Sequence, residues 1–148
     1  MQQNPNWFDN VESRPHPWPG LNWMTAALVF EEVDLALDFY TTSLGFVPIF
    51  LLPGEDGRLD FARMRYRGIN FTLNSMRFDP GLRPPAADGT PPFAFYLYVD
   101  DLAHSKTAMQ DGGATIAIDA RREPWGDMRA RLVDPFGYLW DLAQKIPG

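Results

Sequence analysis

The stretch Asp-Pro-Phe-Gly-Tyr-Leu-Trp-Asp-Leu-Ala, residues 134 to 143, reads as a tight turn running into a strand. Pro135 presets φ at the second turn position and Gly137 closes the fourth, a combination that reverses a chain cheaply. The strand that follows carries a carboxylate, Asp141, between Trp140 and Leu142. An acid inside an apolar strand is costly when buried and unpaired, so Asp141 is expected to face solvent or a polar cavity. Alternation then sends Trp140 and Leu142 toward a helix layer and leaves Leu139 and Ala143 on the side of the acid.

Working outward from this turn, the chain states one pattern twice. A strand is predicted over 23–30, then a helix with Val33, Leu37, Tyr40 and Leu44 on one face, stopped by Gly45. Three strands follow at 47–52, 59–66 and 69–76, separated by Pro53-Gly54-Glu55-Asp56-Gly57 and by Arg67-Gly68. Residues 79–92 hold five prolines and two glycines, too many for a sheet strand, and form a linker. After it the order returns: a strand over 93–99, a helix opened by Asp100-Asp101 and ended by Gly112-Gly113, and strands over 115–119, 128–133 and 138–143. Gly68 and Gly137, Thr72 and Asp141, and Val33 and Leu102 each lie 69 residues apart, which marks an internal duplication. The fold class is therefore α+β, with two tandem βαβββ modules. Module 1 spans 21–78 and module 2 spans 93–146, within a single domain over 21–146. Residues 1–20, with Trp7, Trp18 and four prolines, show no period and form an extended arm.

Bulk properties narrow the function. A chain of 148 residues with 45% apolar content can bury a real core. A net charge of -6 argues against nucleic acid and anionic membrane surfaces as partners. No stretch approaches the ~18 apolar residues of a membrane span. The first residues lack a basic start and an apolar run, so a cytoplasmic location is expected. The absence of cysteine removes thiolate metal sites and a thiol nucleophile. Arg63, Arg65 and Arg67 alternate along one predicted strand and share a face, expected to be a solvated outer surface rather than an anion site.

The paired modules, the segment over 28–46 with its Phe39-Tyr40 and Leu44-Gly45 helix end, and the tail over 124–143 with its Asp-Pro-Phe-Gly turn together resemble the vicinal oxygen chelate superfamily. Glyoxalase I, bleomycin-resistance proteins, fosfomycin-resistance enzymes and extradiol dioxygenases are members. The resemblance covers 21–146 and implies curved mixed sheets set around a cavity, completed in many members across a homodimer. It also implies four metal-ligand positions, which fall here on Thr25, Thr72, Ala94 and Asp141. Only Asp141 suits a divalent metal, which needs at least three imidazole or carboxylate ligands. His16 in the arm and His104 in the second helix offer no paired ligand on a cavity face. Neither metal nor cofactor is expected.

Strand parity then gives the expected cavity lining. The first strand supplies Trp23 and Thr25, and the fourth supplies Asn70, Thr72 and Asn74. The fifth supplies Tyr96 and Tyr98, with Trp125 at the rim and Asp141 as the one acid. Such a box suits a small organic ligand with an aromatic or cationic part, held as in a bleomycin-resistance protein. The alternatives are a metal-independent lyase or isomerase with Asp141 as the catalytic acid or base, and a metal-dependent lyase or dioxygenase with atypical ligands. A third is a dimer whose cavity is filled by its own side chains.

Overall fold

Each half of the chain lays down a strand, a helix and three further strands in the computed structural model, which describes residues 21–86 and 88–147. The expected arm over 1–20, with His16, lies outside the described residues. Module 1 comprises β1 (Ala27–Phe30), α1 (Val33–Leu44), β2 (Val47–Pro53), β3 (Leu59–Tyr66) and β4 (Ile69–Ser75). Module 2 comprises β5 (Phe95–Tyr98), α2 (Leu102–Asp111), β6 (Thr115–Arg122), β7 (Asp127–Val133) and β8 (Leu139–Lys145). The sheet orders β1-β4-β3-β2 and β5-β8-β7-β6 are the same arrangement twice. In each, the first strand runs parallel to the last and the other neighbours are antiparallel. Two four-stranded mixed sheets with two helices result, and neither closes into a barrel.

Local chemistry sets the element ends. Arg67 and Gly68 both have positive φ, 48° and 86°, the geometry that lets two residues join twisted antiparallel strands β3 and β4. Gly137 has φ of 95°, and a Cβ there would lie 3.0 Å from Pro85, so this turn is pinned beneath the linker. Asp101 caps α2 by accepting the His104 N–H at 3.1 Å. The strands expected from 23 and 93 start later, at Ala27 and Phe95. For β1 the cause is visible: the Asn22 side chain takes both backbone groups of Asn70, so the ladder stops at the Ala26 carbonyl, which accepts the Thr72 N–H at 3.0 Å. Strands β6 and β8 instead run past their expected ends, because Arg122 pairs with Met128 and Lys145 with Asp127. Polar side chains at those ends hid the extension.

The two sheets share one core. Val33, Ala36, Phe39, Tyr40 and Leu44 of α1 share a buried cluster with Phe71 and Leu73 of β4 and with Trp140 and Leu142 of β8, and the Tyr40 ring meets that of Trp140. Tyr40 is fully buried, with the rings of Phe30, Phe46, Phe71, Phe136 and Trp140 around it. Its hydroxyl donates to Asp134, the first residue of the Asp134-Pro135-Phe136-Gly137 turn. Asp134 also accepts from the indole of Trp140 at 2.9 Å and from the backbone N–H groups of Phe136 and Tyr138 at 2.9 and 3.0 Å. Burial still dominates and pushes its carboxyl above the usual range. A second tie crosses between modules: the Tyr138 hydroxyl accepts from the Val29 N–H at 2.8 Å and donates to the Val29 carbonyl at 2.9 Å. Among the described residues no helix is long and apolar enough to cross a membrane.

Candidate functional site

Residue alternation about the shared core fixes where the predicted site residues point. Phe71 and Trp140 belong to different sheets, yet their ring centroids lie 6.4 Å apart. Their strand neighbours Thr72 and Asp141 must therefore point away from each other. Trp140 and Leu142 face the helix layer, as strand parity predicts. Each module thus presents an outer face, and within one chain the two faces diverge rather than enclosing a common space. A cavity of about 320 Å³ opens elsewhere, between the linker and β1, where Val29, Pro85, Phe93 and Tyr138 line it.

On the outer face of module 2, Asp127 is the hub. One carboxylate oxygen accepts from the hydroxyls of Tyr96 and Tyr98, both at 2.7 Å, and from the Trp125 indole at 2.8 Å. Trp125 also donates to the Tyr96 hydroxyl at 3.0 Å. Burial pushes the Asp127 carboxyl up, but the three donors outweigh burial and hold it below the usual range. The same anion, after desolvation, helps push the Tyr96 phenol up to about 12. Three predicted ligand residues, Tyr96, Tyr98 and Trp125, are therefore assembled as one aromatic rack by an acid absent from the expected lining.

Asp141 occupies the same face and is not the solitary acid expected. It is 5% exposed. Arg131 grips it with two donors, Nε at 2.8 Å and Nη2 at 3.0 Å, and Arg129 Nη1 adds a third at 3.2 Å. Arg129 continues to Glu123 at 2.8 Å and Glu123 to Arg121 at 2.9 Å, giving a chain of alternating charge. Asp141 raises the Arg131 pKa, and Glu123 with Asp141 raises that of Arg129 against the opposing effect of burial. The signal for these arginines was present in the sequence: Asp127, Arg129 and Arg131 alternate with Met128, Ala130 and Leu132, so the charges of β7 share one face. The β7–β8 register lays Arg131 beside Asp141.

The outer face of module 1 is quieter. Asn70, Thr72 and Asn74 of β4 are all buried to within a few per cent. The Asn74 amide donates to the Leu28 carbonyl at 3.1 Å and to the Thr72 hydroxyl at 2.9 Å, and Arg63 Nη1 donates to Asn70 Oδ1 at 2.8 Å. Contrary to the expectation of a solvated arginine surface, Arg63 and Arg65 are half-buried on this outer face, while Arg67 sits in the turn and pairs with Asp100. Trp23 and Thr25 precede β1, the first exposed and the second half-buried. Strand β2 exposes Val47, Ile49, Phe50, Leu51 and Leu52 beside this face.

The four positions that the resemblance marks as metal ligands, Thr25, Thr72, Ala94 and Asp141, do not fit a metal here. Thr25 and Ala94 precede their strands, and the register places Ala27 beside Thr72 and Tyr96 beside Asp141. The only carboxylate of the set has both oxygens engaged by arginine. Among the described residues no three His, Asp or Glu side chains gather to hold a metal.

Comparison with known proteins places this architecture. Residues 20–142 match the model of the Glyoxalase/Bleomycin resistance protein/Dioxygenase superfamily. An uncharacterised protein of Mycobacterium bovis is 31% identical over 123 residues, which is 80% of each chain. Among solved structures, a gene product from Arabidopsis thaliana superposes with a TM-score of 0.67 at 20% identity, over 83% of this chain and 98% of that one. A glyoxalase/bleomycin resistance protein/dioxygenase family enzyme from Burkholderia phytofirmans PsJN gives 0.64 at 16% identity, over 82% and 97%. With its duplicated βαβββ fold and a family match along nearly all of both modules, this chain belongs to the glyoxalase/bleomycin resistance protein/dioxygenase superfamily.

Proposed function

We propose that the protein is a cytoplasmic homodimer that binds a small organic ligand carrying an aromatic ring. The ligand sits, without a metal, between the module 1 face of one copy and the module 2 face of the other. The divergence of Thr72 and Asp141 about the Phe71–Trp140 contact carries this reading, because the described residues of one chain offer two half-sites that do not close on each other. The exposure of Tyr96, Tyr98 and Trp125, and of the apolar edge strand β2, supports it: unpaired apolar edges and racked aromatics are surfaces that a partner or ligand covers. The ring, rather than a positive charge, is what the site recognises. Asp127 and Asp141, the acids suited to a cation, already serve three donors each. The same pairing weighs against Asp141 as a general acid or base, since proton transfer would have to break contacts with two guanidinium groups.

A melting screen against planar aromatic compounds tests the binding half. Specific ligands raise the melting temperature progressively with concentration. In Trp125→Ala that rise shrinks while the ligand-free melting temperature stays near wild type. A rise of equal size in the variant, or no aromatic compound that produces one, contradicts the proposal.

A further inference from the structure

The duplication lets one module be used as a template for the other. Thr72 of β4 and Asp141 of β8 are equivalent by the 69-residue shift. In the antiparallel registers Arg63 pairs with Thr72 just as Arg131 pairs with Asp141. Both modules therefore place an arginine on the outer face beside the central residue of their last strand. In module 2 that arginine receives a carboxylate from the chain, at 2.8 and 3.0 Å. In module 1 the acid is replaced by threonine, and Arg63 has no acid partner among the described residues. Its one hydrogen bond goes to a neutral amide, Asn70 Oδ1, and its guanidinium lies 6.0 Å from the Phe61 ring centre.

Thr72 supplies a second, independent observation. It is 6% exposed and its oxygen accepts the Asn74 amide, which leaves the hydroxyl proton to be donated. No residue accepts that proton among the described ones. A cation lacking a counter-charge and a buried donor lacking an acceptor thus stand side by side, where the sister module holds a carboxylate. Leaving both unsatisfied costs stability, and one planar anion answers both.

We infer that module 1 carries a carboxylate-binding subsite, formed by the Arg63 guanidinium and the Thr72 hydroxyl, that takes a carboxylate borne by the aromatic ligand. The subsite rests on the proposed ligand site only for what the rest of the ligand is. Its geometry is taken from the chain's own Arg131–Asp141 pair. Arginine suits the role better than lysine because its planar fork matches both carboxylate oxygens.

The test first restores the acid. Thr72→Asp builds into module 1 the pair that module 2 already has, so at pH 7 its melting temperature stays at or above that of wild type. Adding Arg63→Gln to Thr72→Asp then lowers it by about 8 °C or more. If Thr72→Asp alone falls that far while Thr72→Asn does not, no guanidinium receives the acid and the subsite is disproved. The second arm uses 2-naphthoate and its neutral analogue 2-naphthamide. The subsite predicts that naphthoate binds wild type at least about tenfold more tightly than naphthamide, and that Arg63→Gln or Thr72→Asp erases the difference. Equal binding of both probes, unchanged by Arg63→Gln, overturns the subsite but leaves an aromatic site standing. A stable Thr72→Asp variant with neither probe bound by wild type supports the subsite and counts against the aromatic site instead.

Discussion

The outer faces of the two modules start from one plan and finish with opposite electrostatics. Module 2 resolves its charges internally: one Asp127 oxygen accepts from two tyrosines and a tryptophan, and Asp141 accepts from two arginines. Module 1 places Thr72 where module 2 has Asp141, and among the described residues its Arg63 donates to an amide and to no acid. A duplicated sheet can thus keep one register and still settle its polar groups in two ways. Module 2 ties its exposed aromatic residues to an acid of its own chain, and module 1 leaves an arginine with a neutral partner.

The largest effect is expected where the faces are held back to back. Asp134→Ala strands the Tyr40 hydroxyl, the Trp140 indole and two backbone donors in the shared core. Denaturant unfolding should show a loss of about 4 kcal/mol, and a loss under about 1 kcal/mol would mean that the modules do not depend on this joint. Next comes the direct contrast between faces. Asp141→Ala leaves Arg131 without its anion and Arg129 with Glu123 alone, and should cost about 2–3 kcal/mol. Thr72→Ala at the equivalent place should cost about 1 kcal/mol or less, because Asn74 keeps its bond to the Leu28 carbonyl. Equal costs at the two positions would erase the asymmetry.

A pH experiment sharpens the account of the aromatic rack. The folded pKa of Asp127 lies below its unfolded value of about 3.9, so its contribution to stability is full above that value and is lost as pH falls through the folded pKa. Tyr96 runs the other way. Its folded value of about 12 exceeds the unfolded one of roughly 10, so its contribution is present below 10 and is lost as pH rises through 12. Asp127→Asn should flatten the acid limb of the melting profile and bring the Tyr96 titration, followed by phenolate absorbance, back toward its ordinary value. An unchanged Tyr96 titration would break the proposed rack. The smallest effect on chain stability belongs to β2: Phe50→Ser, at an exposed position, should shift unfolding by less than about 0.5 kcal/mol while weakening self-association measured by dilution.

Much of this molecule could be read in advance. Gly68, Gly137, Thr72 and Asp141 disclosed the duplication through a constant spacing, and alternation correctly turned Trp140 and Leu142 toward the helices. What stayed hidden was pairwise. That Asp141 has company depends on the β7–β8 register, which places Arg131 beside it, and register is a property of two strands rather than one. The early end of β1 depends on the Asn22 side chain competing for Asn70, a contact 48 residues apart in the chain. The strand predicted over 128–133 leaves Asp127 out, whereas its pairing with Lys145 makes it the first residue of β7.

In the proposed dimer the two faces, which diverge within a chain, meet only between copies. Because the chain has no cysteine, single thiols can be placed at exposed outer-face positions. Ala27→Cys in one preparation and Tyr96→Cys in another, mixed and treated with a short bis-maleimide, should give a cross-linked product of twice the 16.8 kDa chain mass. The double variant should likewise link between chains. An internal bridge within single chains of the double variant, or no linked product from the mixture, would contradict the account.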